Sequence, residues 1–130
     1  MDEVYKFLKE CDTYYLATCE DNIPHLRPFG TVNIFEGRLY IQTGRSKDVA
    51  KQIRNNPHVA ICAFNGSEWL RLSGILEDDE RVEAKKAMLD VYPELRRMYD
   101  ENDSNTEVFF FREGHAVISS FHDSPKHYEL

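Results

Sequence analysis

No apolar run in this 130-residue chain approaches the roughly 20 residues that a helix needs to cross a bilayer, so a membrane-spanning helix is not expected. Cysteine is scarce. Cys11, Cys19 and Cys62 are three in number and widely spaced, which gives no zinc-site spacing and argues against a disulfide framework. Basic charge is in deficit, with 16 Lys and Arg against 23 Asp and Glu and a net charge of −7. Sequence-independent nucleic-acid binding draws on many basic groups and is disfavoured here. The five histidines fall into no metal-ligand spacing, and the chain contains neither a Walker pattern nor a nucleophile elbow. Met1-Asp2-Glu3-Val4-Tyr5-Lys6 lacks the basic-then-apolar layout of a signal peptide, and the expected location is the cytoplasm.

What is present is a globular composition, 42% hydrophobic and 12% aromatic, with no repeat, linker or low-complexity tract, so residues 1–130 read as a single domain. Val4, Phe7 and Leu8 predict a helix over 3–10. Strands are expected at 14–19, 26–35, 38–42, 58–64 and 69–76, with turns at Glu20-Asp21-Asn22, Glu36-Gly37 and Asn65-Gly66. Ser46 is the expected N-cap of a helix over 46–55 that ends before Pro57. Asp78-Asp79 are expected to open an amphipathic helix carrying Ala84, Ala87, Met88 and Val91, and Pro93 to start a further helical piece. A last hairpin is predicted around Glu113-Gly114, and Cys62 reads as a core residue. About six strands with repeated hairpins predict a mainly β protein, a closed or nearly closed antiparallel barrel with a few helices.

Three constellations could carry chemistry. Thr43, Ser46, Lys47 and Lys51 lie where a strand turns through Gly44 into a helix. Hydroxyls, free backbone N–H groups and two ammonium groups one turn apart suit a phosphate. An ordinary surface helix with solvated lysines fits the same residues. Arg27-Pro28-Phe29-Gly30 places a cation on a strand interrupted by proline, which reads as a bulge or an edge. Alternation in Trp69-Leu70-Arg71-Leu72-Ser73 puts Trp69 and Arg71 on one face, where the arginine meets either an anion or a carboxylate of the chain.

In that order, Arg27-Pro28-Phe29-Gly30, Leu39-Tyr40-Ile41-Gln42-Thr43, Ser46-Lys47, Asn56-Pro57 and Trp69-Leu70-Arg71-Leu72-Ser73-Gly74 resemble the small bacterial members of the pyridoxamine 5′-phosphate oxidase-like, FMN-binding split-barrel superfamily. Among these the chain is similar to the nitroimidazole-reductase-type proteins. The resemblance implies a six-stranded antiparallel split barrel of Greek-key type that forms a homodimer with FMN at the interface. It implies that Arg27, Pro28, Phe29 and Gly30 lie along the flavin, that Thr43, Ser46, Lys47 and Lys51 hold its phosphate, and that Trp69 and Arg71 lie close to the cofactor of one or the other subunit. The implied activity is an FMN-dependent oxidoreductase that passes electrons from a reduced nicotinamide or another donor to a small acceptor, a nitroaromatic or a quinone. No protein nucleophile and no metal are expected. The vitamin-forming oxidases carry arginines in a C-terminal segment. This chain ends His122-Asp123-Ser124-Pro125-Lys126-His127-Tyr128-Glu129-Leu130 without one, so pyridoxamine phosphate oxidation is not expected. Two alternatives are a flavin- or haem-binding protein without turnover of its own and a dimer that has lost its cofactor.

Overall fold

Left-handed turns set the register of the first hairpins. In the computed structural model, which describes all residues Met1–Leu130, Asp21 and Asn22 have φ of 52° and 63°, and Glu36 and Gly37 have φ of 49° and 75°. Paired positive φ values match the right-handed twist of the strands they join. The first pair links β1 (Tyr14–Glu20) to β2 (Ile23–Phe29), and the second links β3 (Asn33–Phe35) to β4 (Arg38–Gly44). Between β5 (His58–Phe64) and β6 (Glu68–Asp79) the Asn65 side chain caps the turn, its Oδ1 accepting the N–H groups of Ser67 at 3.0 Å and Glu68 at 2.8 Å. The remaining elements are α1 (Asp2–Cys11), α2 (Asp48–Asn55), α3 (Val82–Val91), a 3-10 turn at Pro93–Arg97, β7 (Thr106–Ser120) and β8 (Lys126–Glu129).

All pairings are antiparallel, and the strands follow the order β2-β1-β5-β6-β7-β4-β3, with β8 added to β7. The sheet curls but does not close, because its end strands β2 and β3 never pair. Helix α2 packs against β1 and β4 on that open side. A loop side chain latches the same seam. The Thr31 hydroxyl accepts the Gln42 N–H at 3.0 Å and donates to the Gln42 carbonyl at 3.3 Å, while Tyr14 Oη donates to the Thr31 carbonyl at 2.6 Å. Inside lies one large apolar cluster to which α1 gives Val4, Phe7 and Leu8, α2 gives Val49 and Ile53, and the strands give Leu16, Ile41, Ile61, Leu70, Leu72 and Phe109. Each such side chain stabilises the fold by about 1.5–3 kcal/mol relative to exposure.

The mainly β, split-barrel expectation holds, with eight strands where about six were expected. The strand expected over 26–35 divides into β2 and β3, and β8, with four residues, is too short to stand out in the sequence. Residues Glu113-Gly114 make no turn, and β7 runs through them for 15 residues. Gly114 lies opposite Gly74, and a Cβ at Gly74 would come 2.1 Å from the Glu113 carbonyl oxygen, so this glycine pair serves a close strand crossing. A bulge between Ile75 and Leu76 follows it. Asp78 and Asp79 stay in β6 and pair with Phe109 and Val108, and α3 begins at Val82. The buried Asp79 carboxylate accepts from Tyr40 Oη at 2.8 Å and from Arg81 Nε at 3.1 Å. Burial pushes it up, but these bonds, with the neighbouring Arg81 charge, hold it below the usual carboxylate range. Tyr40 is pushed to about 12 by burial and by that same carboxylate. Cys62 is exposed, because β5 alternates and turns Val59, Ile61 and Ala63 inward instead.

Candidate functional site

Strand β2 is an edge, which is why Pro28 fits within it without a bulge. Tyr15 pairs with Pro28 in unbroken register, and the missing N–H faces no partner strand. Arg27 lies on the inner side of this edge and reaches toward α2. One terminal nitrogen of its guanidinium donates to Thr18 Oγ1 at 2.9 Å and to the Leu16 carbonyl at 3.2 Å, and the other donates to Gln52 Oε1 at 2.5 Å. Thr18 Oγ1 in turn donates to Gln52 Oε1 at 2.6 Å. Burial lowers the Arg27 pKa, yet an arginine stays charged throughout the physiological range. Its plane is thereby fixed, and its remaining N–H donors are free for a ligand.

A cleft of about 250 Å³ opens beside Arg27. It is lined on one side by Arg27, Pro28, Phe29 and Gly30, and on the other by Gln42, Thr43 and Lys47. Six of the ten residues singled out in the sequence thus converge on one cavity, although β2 and β4 stand far apart along the sheet. Lys47 makes no ion pair within the chain, which leaves a cation facing the cleft. Ser46 and Lys51 are exposed and do not line it.

The helix start differs in detail from the expected anion cradle. Lys47, not Ser46, is the N-cap of α2, and no side chain caps the helix. The N–H groups of Arg45 and Ser46 are taken by the Asn105 carbonyl at 2.7 Å and by Asn105 Oδ1 at 3.2 Å, and that of Lys47 by the Gly44 carbonyl at 3.0 Å. The Asp48 and Val49 N–H groups are left as the donors without a partner. Glu107 braces this loop from β7. It is buried, receives Arg54 Nη1 at 2.6 Å and lies 3.6 Å from Arg45 Nη1, while Arg54 also donates to the Arg45 carbonyl. Burial and the adjacent Asp78 carboxylate push Glu107 above its ordinary value, and the two arginines act against that.

Trp69 and Arg71 stand elsewhere, on the outer face of β6. Trp69 packs against Phe121 with ring centroids 5.0 Å apart and the planes inclined by 57°. Arg71 is exposed and pairs with no carboxylate, and it lines an apolar outer hollow of about 390 Å³ with Tyr15, Leu26 and Cys62. Tyr15, Leu26 and Phe64 on this surface are 48%, 69% and 60% exposed.

The family model described as pyridoxamine 5′-phosphate oxidase matches residues 1–109. The chain belongs to the pyridoxamine 5′-phosphate oxidase family. Within the family's fold, a NimC/NimA family protein from Clostridium acetobutylicum superposes with a TM-score of 0.96 at 39% identity, over 100% of this chain and 93% of that one. A pyridoxamine 5′-phosphate oxidase-related, FMN-binding protein from Nostoc punctiforme gives 0.63 at 13% identity, over 99% of this chain and 94% of that one. A haem-binding protein from Mycobacterium smegmatis gives 0.75 at 15% identity, over 97% of this chain and 56% of that one. These last two share the fold alone. No curated protein sequence matches the chain.

Gln42 is a cleft residue that sequence reasoning missed. Gln42 is 5% exposed and lines the cavity, and its side-chain oxygen is buried without a hydrogen-bond partner. Native interiors rarely leave such an acceptor unmet. The signal was present as a lone amide in the apolar strand Leu39-Tyr40-Ile41-Gln42.

Proposed function

We propose that the chain is an FMN-dependent oxidoreductase that works as a homodimer. The observation that carries this reading is the single cleft uniting the Arg27–Gly30 edge with Gln42, Thr43 and Lys47. The donor set fits the cofactor. Lys47, the free N–H groups at the start of α2 and the Thr43 hydroxyl suit a phosphate, and the Gln42 amide adds a polar group to the wall beside the ribityl–flavin body. When bound, the flavin supplies the electron-transfer chemistry. Lys47 neutralises the phosphate, Arg27 presents fixed donors beside the cleft, and the Pro28–Gly30 edge excludes water from one side. The electron donor would be a reduced nicotinamide or another reductant, and the acceptor would be a small nitroaromatic or quinone.

A cleft of about 250 Å³ is smaller than the roughly 300–1,000 Å³ usual for sites that enclose a ligand. It holds part of the cofactor and leaves the rest to be covered. The exposed apolar surface around Tyr15, Leu26 and Phe64 suits a second copy of the chain, which would bring its Trp69 and Arg71 to the uncovered side. Three unpaired thiols fit a reducing, cytoplasmic setting. The test is the visible spectrum of the purified protein, followed by acid release and identification of the chromophore. A flavin spectrum with released FMN is expected. An intense haem band, or a colourless protein that takes up no added FMN, would overturn the assignment.

A further inference from the structure

The connection between β6 and β7 puts a third wall on the cleft. After α3 the chain makes a 3-10 turn at Pro93–Arg97, and Leu95, Met98 and Tyr99 line the cavity opposite Pro28 and Phe29. The segment is tied down by its own turns and by Arg96, which donates to Glu101 at 2.5 Å and to Asp90 at 2.9 Å. Beyond it, Asp103 collects the Asp100, Asn105 and Thr106 N–H groups and so fixes the approach to β7.

Tyr99 is held over the loop that leaves β4. A Cβ on Gly44 would come 3.1 Å from Tyr99 Oη and 3.1 Å from Asn105 Nδ2, so the absence of a side chain at Gly44 is what lets the phenol lie there. The hydroxyl has no hydrogen-bond partner in the chain. Asn105 meanwhile consumes the Arg45 and Ser46 N–H groups that a loop of this kind would otherwise offer to an anion. The loop is thus short of donors on the side where a free phenolic O–H stands.

We propose that Tyr99 is a phosphate ligand, its hydroxyl donating to the FMN 5′-phosphate that Lys47 neutralises. The inference rests on the FMN reading above. It adds that the anion is gripped from two parts of the chain, the β4–α2 loop and the segment before β7. A hydroxyl bonded to a charged group contributes enough to change affinity about tenfold or more.

The test compares Tyr99→Phe with the parent protein by flavin-fluorescence titration, using FMN and riboflavin as separate probes. The expected result is an FMN dissociation constant raised about tenfold, with riboflavin binding and the melting temperature of the unliganded protein unchanged. Equal weakening of both flavins would assign Tyr99 to packing against the cofactor body and overturn the proposal. Unchanged FMN binding would overturn it too. A parent protein that binds FMN no more tightly than riboflavin would instead overturn the phosphate site as a whole, which separates failure of the underlying reading from failure of this one.

Discussion

Replacing Gln42 by Met should make the unliganded protein more stable and a poorer flavin binder. The two side chains are similar in length and volume, so packing is largely kept while the unmet acceptor is removed. An unsatisfied buried polar group costs about 1–3 kcal/mol, and after some misfit of the thioether a gain of about 1–2 kcal/mol is expected. At about 2.1 cal/mol/K of unfolding entropy per residue, a chain of this length shifts by about 4 °C for each kcal/mol, which predicts a melting temperature about 4–8 °C higher. Binding should move the other way. Loss of one neutral hydrogen bond, worth about 0.5–1.5 kcal/mol, weakens FMN about two- to twelvefold. Differential scanning calorimetry of the unliganded protein and fluorescence titration of FMN measure the two quantities. Lower stability with unchanged affinity would show that Gln42 serves the fold and not the ligand, and would refute the reasoning.

Lys47→Glu should weaken FMN about 10- to 100-fold, whereas Lys51→Glu should change it less than about threefold, because only Lys47 lines the cleft. Equal losses in the same titration would return the phosphate to the exposed face of α2. Asp79→Asn should cost about 1–3 kcal/mol at neutral pH, since it weakens the contacts to Tyr40 and to the half-exposed Arg81. The folded Asp79 titrates below its unfolded value, so its contribution is complete above the ordinary carboxylate range and fades as pH falls through the depressed value. Urea unfolding of parent and variant between neutral pH and pH 2 should show the gap closing on the acid side; a constant gap would contradict this. Gly74→Ala should destabilise by about 3 kcal/mol or more, because its methyl meets backbone atoms of Glu113 and Gly114, and a urea midpoint close to that of the parent would show that the crossing can yield.

The runs Arg27–Gly30 and Thr43–Lys47 were legible as candidate sites because each couples a cation to a local break in regular structure. That they share a cavity was not, since it depends on the curl that brings β1, with β2 beside it, and β4 against α2. Asp21-Asn22 announced their turn through two residues that tolerate positive φ and Glu36-Gly37 through its glycine, whereas Gly114 carried the same signal for another reason. A glycine freed for a turn and a glycine thinned for a strand crossing look alike until the residue opposite, Gly74, is known. The same holds for Asn105, whose carbonyl and amide preempt two loop donors from 59 and 60 positions away. Tyr99 read as the end of a helical piece, with nothing local to tie it to Gly44.

The open side of the barrel, between the β2–β1 and β4–β3 ends of the sheet, has a consequence for how such a protein can change over evolutionary time. A strand inside a ladder is constrained at every residue by two neighbours. The gap here is spanned by α2, one threonine hydroxyl and one tyrosine hydroxyl, not by a run of backbone pairing. The cleft is built at that seam. Lys47 and the Pro93–Tyr99 wall, where mutations would reshape it, lie outside the ladder from β1 through β5, β6 and β7 to β4. The barrel is robust where it is closed and free to be rewritten where it is open, so a lineage can exchange one ligand for another without passing through an unfolded ancestor.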